Sequence, residues 1–260
     1  MDNVIVREFS DYSSTVFSIL DELGFAEKLD DINRIIIKPN LLQDAPPPCT
    51  TDVGCVEAII KFIRENSQNK QIMVLEGSGG CATGIAFKKL GYDKMAAEYG
   101  IKLQDVDKTE IIRLEDPKAL VYKEIYLPAV LFGGYIISVP SLKDHSIAGV
   151  TLSLKNLVGL LPDRHYGGYW SYKRSDVHRV GIGRAVADLN KYVKIDMSVI
   201  DGRLGQQGSH LSGGRHCNPH KNVIIGGHDA LEVDKKGAEI LGHEWESIEH
   251  LRMISGDYEE

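Results

Sequence analysis

Lysine and histidine side chains lie beside apolar runs of the sequence, in positions where a charge is costly to hold. Lys38 ends one strand-like run, Lys143 and His145 follow another, and Lys155 lies within a run of leucines and valines. Burial of an ammonium group lowers its pKa, and the lysine then serves as a nucleophile or binds an anion. We therefore predict that the catalytic groups are Lys155, His145 and Lys143. The alternative is that these lysines extend to solvent along an amphipathic surface.

A second group of polar residues marks the places where predicted strands end. The segment 76–84 (EGSGGCATG) joins a predicted strand to a predicted helix, and its glycines would let backbone N–H groups approach an anion. The spacing matches neither the dinucleotide fingerprint nor the P-loop, so an ordinary strand-to-helix turn is the alternative. The predicted ligand-binding residues are Lys38, Asn40, Glu76, Gly79, Asn156, His165 and Asp201.

The segment 162–178 combines glycine, aromatic and basic residues (PDRHYGGYWSYKRSDVH). Mobile glycines, aromatic contact area and positive charge are typical of a lid that closes over a substrate. Aromatic and basic loops also stack single-stranded nucleic acid, but the net charge of −7 disfavours that function. We expect this segment to close over the cleft together with residues 76–81.

Nitrogen and sulfur ligands make a metal site an open alternative. The segment 210–220 contains three histidines and a cysteine, and imidazole and thiolate groups ligate zinc, iron or nickel. The predicted metal ligands are His145, His178, His216 and Cys217. The chain has four cysteines, which form no ferredoxin-type motif but lie in or next to loops at one end of the predicted sheet: Cys49, Cys55, Cys81 and Cys217. The four cysteines are compatible with two interpretations, a shared metal or iron–sulfur site and four independent thiols.

The elements that must position these residues alternate between strands and helices. The first hundred residues predict strands at 4–9, 34–38, 72–75 and 103–106, and helices at 11–26, 53–65, 82–89 and 92–99. This alternation is typical of an α/β fold with a parallel or mixed sheet and helices on both faces, whose site lies at the carboxyl ends of the strands. Further strands are predicted at 136–139, 195–200 and 223–225, helices at 151–161, 180–192, 229–241 and 244–254, and long loops at 162–177 and 202–220.

Length and composition indicate an ordinary globular protein of 260 residues, with 43% hydrophobic and 26% charged side chains. We treat 1–260 as one domain; a weak sub-boundary near 106–120 would instead create two lobes with a cleft between them. The acidic balance disfavours binding to nucleic acid or to an anionic membrane. The beginning of the sequence lacks a signal-peptide pattern, and no run approaches the roughly 18 apolar residues of a membrane span. We therefore expect a cytoplasmic protein with reduced cysteines.

Six segments, found in order along the chain, resemble the family called domain of unknown function 362. They are IKPNLL (37–42), TTDVGCVEAII (50–60), the turn at Glu76, ISVPSLKDHSIAGVTLSLKNLVGLLP (137–162), IDG (200–202) and IIGGHDALEVDKKGAEILG (224–242). Many members of that family contain a ferredoxin-like segment and are labelled iron–sulfur proteins. The sequence of this chain contains no such segment, so the resemblance alone does not imply a cluster.

A more remote resemblance links the chain to the nickel-pincer lactate racemases. In that family a histidine is followed ten residues later by a lysine that holds the pincer cofactor, with another histidine beyond it. His145 and Lys155 have that spacing, and His165 or His178 would be the later histidine. The Gly-rich tripeptide that precedes the lysine in the racemases is absent here. The resemblance implies a common fold and site position rather than a common reaction.

These patterns together predict an α/β protein with a cleft lined by lysine and histidine, acting as an enzyme on a small carboxylate or phosphate. One alternative is a metal- or iron–sulfur-dependent enzyme, redox or racemase-like, with nickel, iron or zinc as its cofactor. The other is a non-catalytic binding module of a redox system. The predicted partner is a small anion, with a redox protein or a second copy of the chain as open alternatives.

Overall fold

The computed structural model of the protein describes residues 4–256. Its strands are β1 (Ile5–Glu8), β2 (Arg34–Pro39), β3 (Gln71–Glu76), β4 (Lys102–Asp105), β5 (Ile111–Glu115), β6 (Glu124–Pro128), β7 (Tyr135–Val139), β8 (Ser141–His145), β9 (Gly149–Thr151), β10 (Met197–Gln207), β11 (Arg215–His216) and β12 (Val223–Gly227). Its helices are α1 (Tyr12–Glu22), α2 (Phe25–Lys28), α3 (Val53–Asn66), α4 (Thr83–Lys89), α5 (Tyr92–Tyr99), α6 (Ser153–Asn156), α7 (Asp163–Tyr166), α8 (Asp176–Arg179), α9 (Ile182–Tyr192), α10 (Ala230–Leu241) and α11 (Glu249–Ser255).

The main sheet has ten strands, seven of which follow the order β1-β12-β10-β7-β2-β3-β4. The five strands from β10 to β4 are parallel, whereas β12 and β1 add antiparallel pairs at one edge. β8 and β11 pair with β10, and β9 pairs with β8. The predicted α/β fold with a parallel or mixed sheet is confirmed.

Helices cover both faces of this sheet, as the apolar run in β2 requires. Ile35 and Ile37 belong to one apolar core together with buried residues of α1 and α3. Ile36 points to the opposite face and belongs to a second core with residues of α9 and α10. A parallel strand that is buried on both faces carries apolar residues without alternation, which is why this segment is a continuous run of isoleucines.

β5 lies in the region of the predicted sub-boundary near 106–120, and it pairs with β6, just beyond that region, in a separate antiparallel sheet. The division of the chain into domains stays a prediction. No helix within residues 4–256 is long and apolar enough to cross a membrane.

The structure differs from the sequence prediction in segments that surround the site. The helix predicted at 151–161 is instead the end of β9, the four-residue α6 and a 3₁₀ turn over Leu157–Leu160. Residues 141–145, for which the pattern predicts no element, form β8. The loops predicted at 162–177 and 202–220 contain α7, the start of α8, the end of β10 and β11. Elements of two to five residues do not show a repeating pattern of apolar side chains, so the sequence does not reveal them. Their stability depends on tertiary contacts rather than on local propensity.

The helix predicted at 11–26 is also divided in two. α1 ends at Glu22, and Gly24 precedes α2 with a φ of 63°. Glycine adopts this left-handed conformation without a steric penalty, so it interrupts a helix that the apolar spacing alone continues.

Candidate functional site

A cavity of about 350 Å³ opens at the carboxyl ends of β2 and β3. Its other walls come from the turn between β8 and β9, from α6, from the segment 170–182 and from the loop before β11. The predicted site residues that line it are Lys38, Asn40, Glu76, Gly79, His145, Lys155, Asn156 and His178. The topology thus brings together polar residues from distant parts of the sequence at one edge of the parallel sheet.

One wall of the cavity contains a buried ion pair between Lys38 and Glu76. Lys38 Nζ donates to Glu76 Oε1 at 2.7 Å and to the carbonyl of Pro39 at 2.7 Å. Glu76 Oε2 accepts the backbone N–H of Leu41 at 2.7 Å. Burial lowers the pKa of Lys38, and the charge of Glu76 opposes that effect. Because the two charges cancel, this pair forms a neutral wall rather than an anion site.

Two asparagines connect the ion pair to Lys143, which lies behind the cavity wall. Asn156 Oδ1 accepts from Asn40 Nδ2 at 3.1 Å, and Lys143 Nζ donates to Asn40 Oδ1 at 2.6 Å and to the carbonyl of Cys49 at 2.5 Å. Burial lowers the pKa of Lys143 to about 8. Both of its acceptors are neutral, so its charge has no carboxylate partner within residues 4–256. Lys143 itself does not line the cavity.

Lys155 faces the cavity from α6, whose N-terminus is held by a carboxylate of α10. Asp234 accepts the backbone N–H groups of Ser153 and Leu154, both at 2.8 Å. The Lys155 side chain is only 9% exposed, and no hydrogen bond or ion pair engages its ammonium among the described residues. Burial lowers the pKa of Lys155 to about 7, and the charge of Lys143 adds to this effect. An unpaired, enclosed amine is costly and therefore points to a ligand.

Two histidines stack face to face in the cavity wall. The ring centroids of His145 and His210 lie 3.7 Å apart with an angle of 13° between the planes. His145 Nδ1 accepts the N–H groups of Ile147 and Ala148 at 3.1 and 3.0 Å, so the neutral ring carries its proton on Nε2. Burial, together with the nearby charge of Lys155, lowers the pKa of His145 and lowers that of His210 to about 3. Both rings are therefore neutral at physiological pH.

A third histidine, His178, reaches the cavity from α8. Its ring packs against Trp170, with centroids 4.4 Å apart. Its Nδ1 is buried and has no hydrogen-bond partner in the part of the chain that the structure describes. Burial lowers the pKa of His178, and the charge of Lys155 contributes to the same shift. The cavity thus combines one unpaired amine with three imidazoles that are held neutral.

Arg174 holds the segment 162–178 in place next to the cavity through a hydrogen bond and two ion pairs. Its guanidinium donates to the carbonyl of Ser78 at 3.1 Å and forms ion pairs with Asp107 at 3.1 Å and Asp163 at 2.8 Å. Lys173 Nζ pairs with the other oxygen of Asp163 at 2.8 Å. These two cations line the cavity, but their charges are compensated by carboxylates. The segment therefore helps to enclose the cavity but adds little net positive charge to it.

Two predicted ligand-binding residues lie outside the cavity. His165 stacks on Tyr126, with ring centroids 4.0 Å apart. Asp201 accepts from the Tyr12 hydroxyl at 3.0 Å and from the backbone N–H of Asp52 at 3.3 Å. Burial raises the pKa of Asp201 to about 6. Its contacts join α1, α3 and β10 and do not reach the cavity.

The predicted metal ligands are not brought together. His145 and His178 line the cavity, whereas His216 is an exposed residue of β11 and Cys217 is buried next to Gly205. Within residues 4–256, no group of three or more histidine, cysteine, aspartate and glutamate side chains could hold a metal ion. The four cysteines are free thiols, and they form no shared ligand set in the described chain.

Many cavity residues are absent from the set predicted from sequence. They include Ile147, Trp170, Arg174, His210 and Leu211. Trp170 and Arg174 belong to the segment predicted to close over the cleft, and His210 belongs to the histidine-rich loop. Composition alone does not tell which side chains of an irregular loop point inward, because loop backbones have no fixed period.

Comparisons with known proteins identify relatives of this chain. A family model described as "Domain of unknown function (DUF362)" matches residues 35–239, which is more than half of the chain. The "Thylakoid-associated protein sll1697" of Synechocystis sp. (strain ATCC 27184 / PCC 6803 / Kazusa) is 24% identical over 221 residues, which cover 80% of this chain and 63% of that protein.

A solved structure shares the fold. The lactate racemase apoprotein from Thermoanaerobacterium thermosaccharolyticum has a TM-score of 0.56 and 14% sequence identity, over 92% of this chain and 57% of that chain. The chain therefore spans less than two thirds of the length of either relative. At this level of identity the likeness is one of fold.

Proposed function

The chain belongs to the DUF362 family, and we propose that it is an enzyme that binds a small anionic molecule, a carboxylate or a phosphate, in the cavity around Lys155. The observation that carries this proposal is the unpaired ammonium of Lys155. It is buried, faces the cavity and has no partner among the described residues.

The balance of charges around the cavity supports an anionic ligand. Lys38 is neutralised by Glu76, and Lys173 and Arg174 are neutralised by Asp107 and Asp163. Lys143 and Lys155 have no carboxylate partner among residues 4–256. A bound anion would compensate Lys155 directly and Lys143 at longer range, and its binding would raise the pKa of both lysines.

Next to the bound anion, the cavity offers a group for proton transfer, Lys155, and neutral imidazoles for hydrogen bonding. His145 accepts two backbone N–H groups at Nδ1, which leaves the N–H at Nε2 as its hydrogen-bond donor. Lys155, with a pKa of about 7, exists in both protonation states near neutral pH. Lys155 therefore meets the requirement of general acid–base catalysis that the pKa of the catalytic group lie near the working pH, so we assign the reaction to a proton transfer between Lys155 and the bound molecule.

Calorimetric titration tests the anion site directly. Acetate, oxalate and inorganic phosphate are titrated into the protein at pH 6.5, where most Lys155 side chains are charged. We expect at least one anion to bind, and Lys155→Met to weaken that binding at least tenfold. Lys194→Met is the matched control, because the Lys194 side chain is 86% exposed and does not line the cavity. Equal affinity in the wild type and in Lys155→Met would contradict the proposal.

A second candidate function is a racemase-like reaction that uses a metal cofactor attached to Lys155. It is supported by the free amine together with the unpartnered Nδ1 atoms of His178 and His210 in the same cavity. Lys155 would hold the group and these histidines would ligate its metal, which would supply Lewis-acid or redox chemistry. Because the described residues offer no set of three ligands, further donor atoms would have to come from the cofactor.

Mass spectrometry distinguishes the two candidates. Protein purified without oxygen from its native host is analysed for nickel, iron and zinc, and its peptides are mapped for an added mass on Lys155. A stoichiometric metal with a modified Lys155 would support the cofactor-dependent reaction. An unmodified lysine together with substoichiometric metal would contradict the cofactor-dependent reaction and favour the anion-binding enzyme.

The cellular location stays a prediction from the sequence. We propose a cytoplasmic protein, although the cyanobacterial relative is named for its association with thylakoids. Fractionation of cells that express the chain at its native level would test this proposal. Recovery in the membrane pellet would contradict it.

A further inference from the structure

We infer that the anion bound at Lys155 carries an apolar or aromatic tail, so that the ligand is an amphipathic carboxylate rather than a bare inorganic ion or a three-carbon acid. This inference rests on the proposed function and adds the class of ligand. Its basis is an apolar rim at the mouth of the cavity, defined here as Ile147, Trp170 and Leu211.

The rim residues are exposed although they are large and apolar. Ile147 is 67% exposed, Trp170 61% and Leu211 40%, and all three line the same cavity. They come from three separate parts of the chain, namely the turn between β8 and β9, the segment 162–178 and the loop before β11. Scattered apolar residues on a surface need no explanation, but apolar residues that converge on one cavity indicate a binding surface.

Each rim residue lies next to one of the cavity histidines. Ile147 follows His145 by two residues and Leu211 follows His210 directly. The ring of Trp170 contacts that of His178 at 4.4 Å. The histidines are more buried than their rim neighbours, and Lys155 is only 9% exposed. The amine and the imidazoles of the cavity are therefore more buried than the apolar rim, which is the arrangement expected for a ligand with a charged end and an apolar tail.

Hydrogen bonds hold the backbone of the rim in place. The N–H of Ile147 donates to His145 Nδ1 at 3.1 Å, and the carbonyl of Leu211 accepts from Gln206 Nε2 at 2.8 Å. The N–H of Trp170 lies 3.4 Å from Ser175 Oγ, which also accepts from two neighbouring N–H groups. Because the backbone of the rim is already ordered, it loses little conformational entropy when a ligand binds, and the free-energy cost of binding is lower.

The size of the cavity supports a ligand larger than a three-carbon acid. Its volume of about 350 Å³ lies at the lower end of the range for sites that enclose drug-sized ligands, which begins near ~300 Å³. An acid with only a handful of heavy atoms would occupy the polar end and leave the rim in contact with water. A tail of several carbon atoms would cover the rim.

A series of carboxylates that differ only in their tails tests this inference. Acetate, hexanoate and 4-phenylbutyrate are titrated by calorimetry at pH 6.5, with 4-phenylbutyramide as the uncharged analogue. We expect the Kd to fall at least tenfold from acetate to 4-phenylbutyrate. Trp170→Ala should weaken the binding of 4-phenylbutyrate at least fivefold more than that of acetate. Trp245→Phe is the control, because Trp245 packs against Lys235 away from the cavity.

The outcomes separate this inference from the proposed function. Equal affinities for acetate and 4-phenylbutyrate would overturn the inference that the ligand has an apolar tail and would leave the proposed anion site intact. Equal affinities for 4-phenylbutyrate and its amide, or unchanged binding in Lys155→Met, would overturn the anion site itself. A dimer in light scattering that Trp170→Ala dissociates would also overturn the inference, because the rim would then be covered by a second copy of the chain.

Discussion

Replacement of Lys155 by methionine should stabilise the folded protein, by an amount that depends on pH. Burial lowers the pKa of Lys155 from 10.5 to about 7, so the folded state holds the charged amine less favourably than the unfolded chain does. At about 1.4 kcal/mol for each pKa unit, this difference corresponds to at most about 5 kcal/mol. Local relaxation and water entry reduce such penalties, so we expect about 2–5 kcal/mol at pH 6. Methionine has a similar length and carries no charge.

The direction of the pH dependence follows from the protons bound in each state. Below pH 7 the amine is charged in both states, and the full penalty is present. Between pH 7 and 10.5 the unfolded chain binds more protons than the folded protein, so the stability of the wild type rises with pH. Above pH 10.5 the amine is neutral in both states and the penalty is absent. The advantage of Lys155→Met should therefore be largest at pH 6 and should approach zero near pH 10.5.

Other titratable groups near Lys155 do not obscure this pattern. Burial lowers the pKa values of His145, His178, His210 and His250, so these side chains titrate below the window. Lys143, with a pKa of about 8, and Asp234, whose pKa burial raises to about 7, titrate within it or at its lower edge, but both are present in the two proteins.

Urea denaturation at pH 6, 7, 8, 9 and 10 measures the unfolding free energies of the wild type, Lys155→Met and the control Lys194→Met. The control should follow the wild type within about 0.5 kcal/mol, as expected for an exposed position. A Lys155→Met variant that is less stable than the wild type at pH 6 would refute the reasoning. So would a stability difference that does not change between pH 7 and pH 10.

Three further predictions concern the parts that hold the site together. Arg174→Met removes a buried cation from two carboxylates and should lower the unfolding free energy by about 3–5 kcal/mol. Limited proteolysis should then cleave the segment 162–178 faster than in the wild type. An unchanged cleavage rate would contradict the role of Arg174 in holding this segment in place. Asp234→Ala removes the acceptor of two backbone N–H groups at the start of α6 and should cost about 1–3 kcal/mol in urea denaturation, whereas a loss below ~0.5 kcal/mol would contradict that account. Gly77→Ala places a Cβ 2.0 Å from Arg174 Nη2 and 2.5 Å from a backbone carbonyl, and it should destabilise the protein by at least ~2 kcal/mol. Gly84→Ala, where nothing lies within 4 Å, is its control in thermal denaturation and should be neutral or stabilising by about 0.5–1 kcal/mol; equal effects of the two substitutions would argue against the steric reason.

The fold was largely predictable from local patterns. The isoleucine run of β2 predicts a strand buried on both faces, and its residues indeed pack in two different cores. The start of α3 was likewise predictable, because Thr51 and Asp52 are both good N-terminal caps; in the structure the carboxylate of Asp52 accepts the N–H of Gly54 at 2.9 Å. In each case the signal lies within a few residues of the element that it describes.

The elements that carry the site were less predictable. α6 has only four residues, and its start is fixed by Asp234, which lies about 80 residues later in the chain. The leucines around Lys155 predict one longer helix because their spacing says nothing about this distant carboxylate. A single tertiary contact therefore decides how the backbone presents Lys155.

The sequence by itself determined the alternation of strands and helices and the presence of lysines and histidines near the ends of strands, because periodicity and composition are local properties. Only the tertiary structure decided which of these charges remain available. Lys38 is neutralised by Glu76 at 2.7 Å and Lys143 lies behind the wall, whereas Lys155 faces the cavity unpaired. The strength of an electrostatic interaction depends on distance and burial, and both are set by the packing of segments that are remote in the chain.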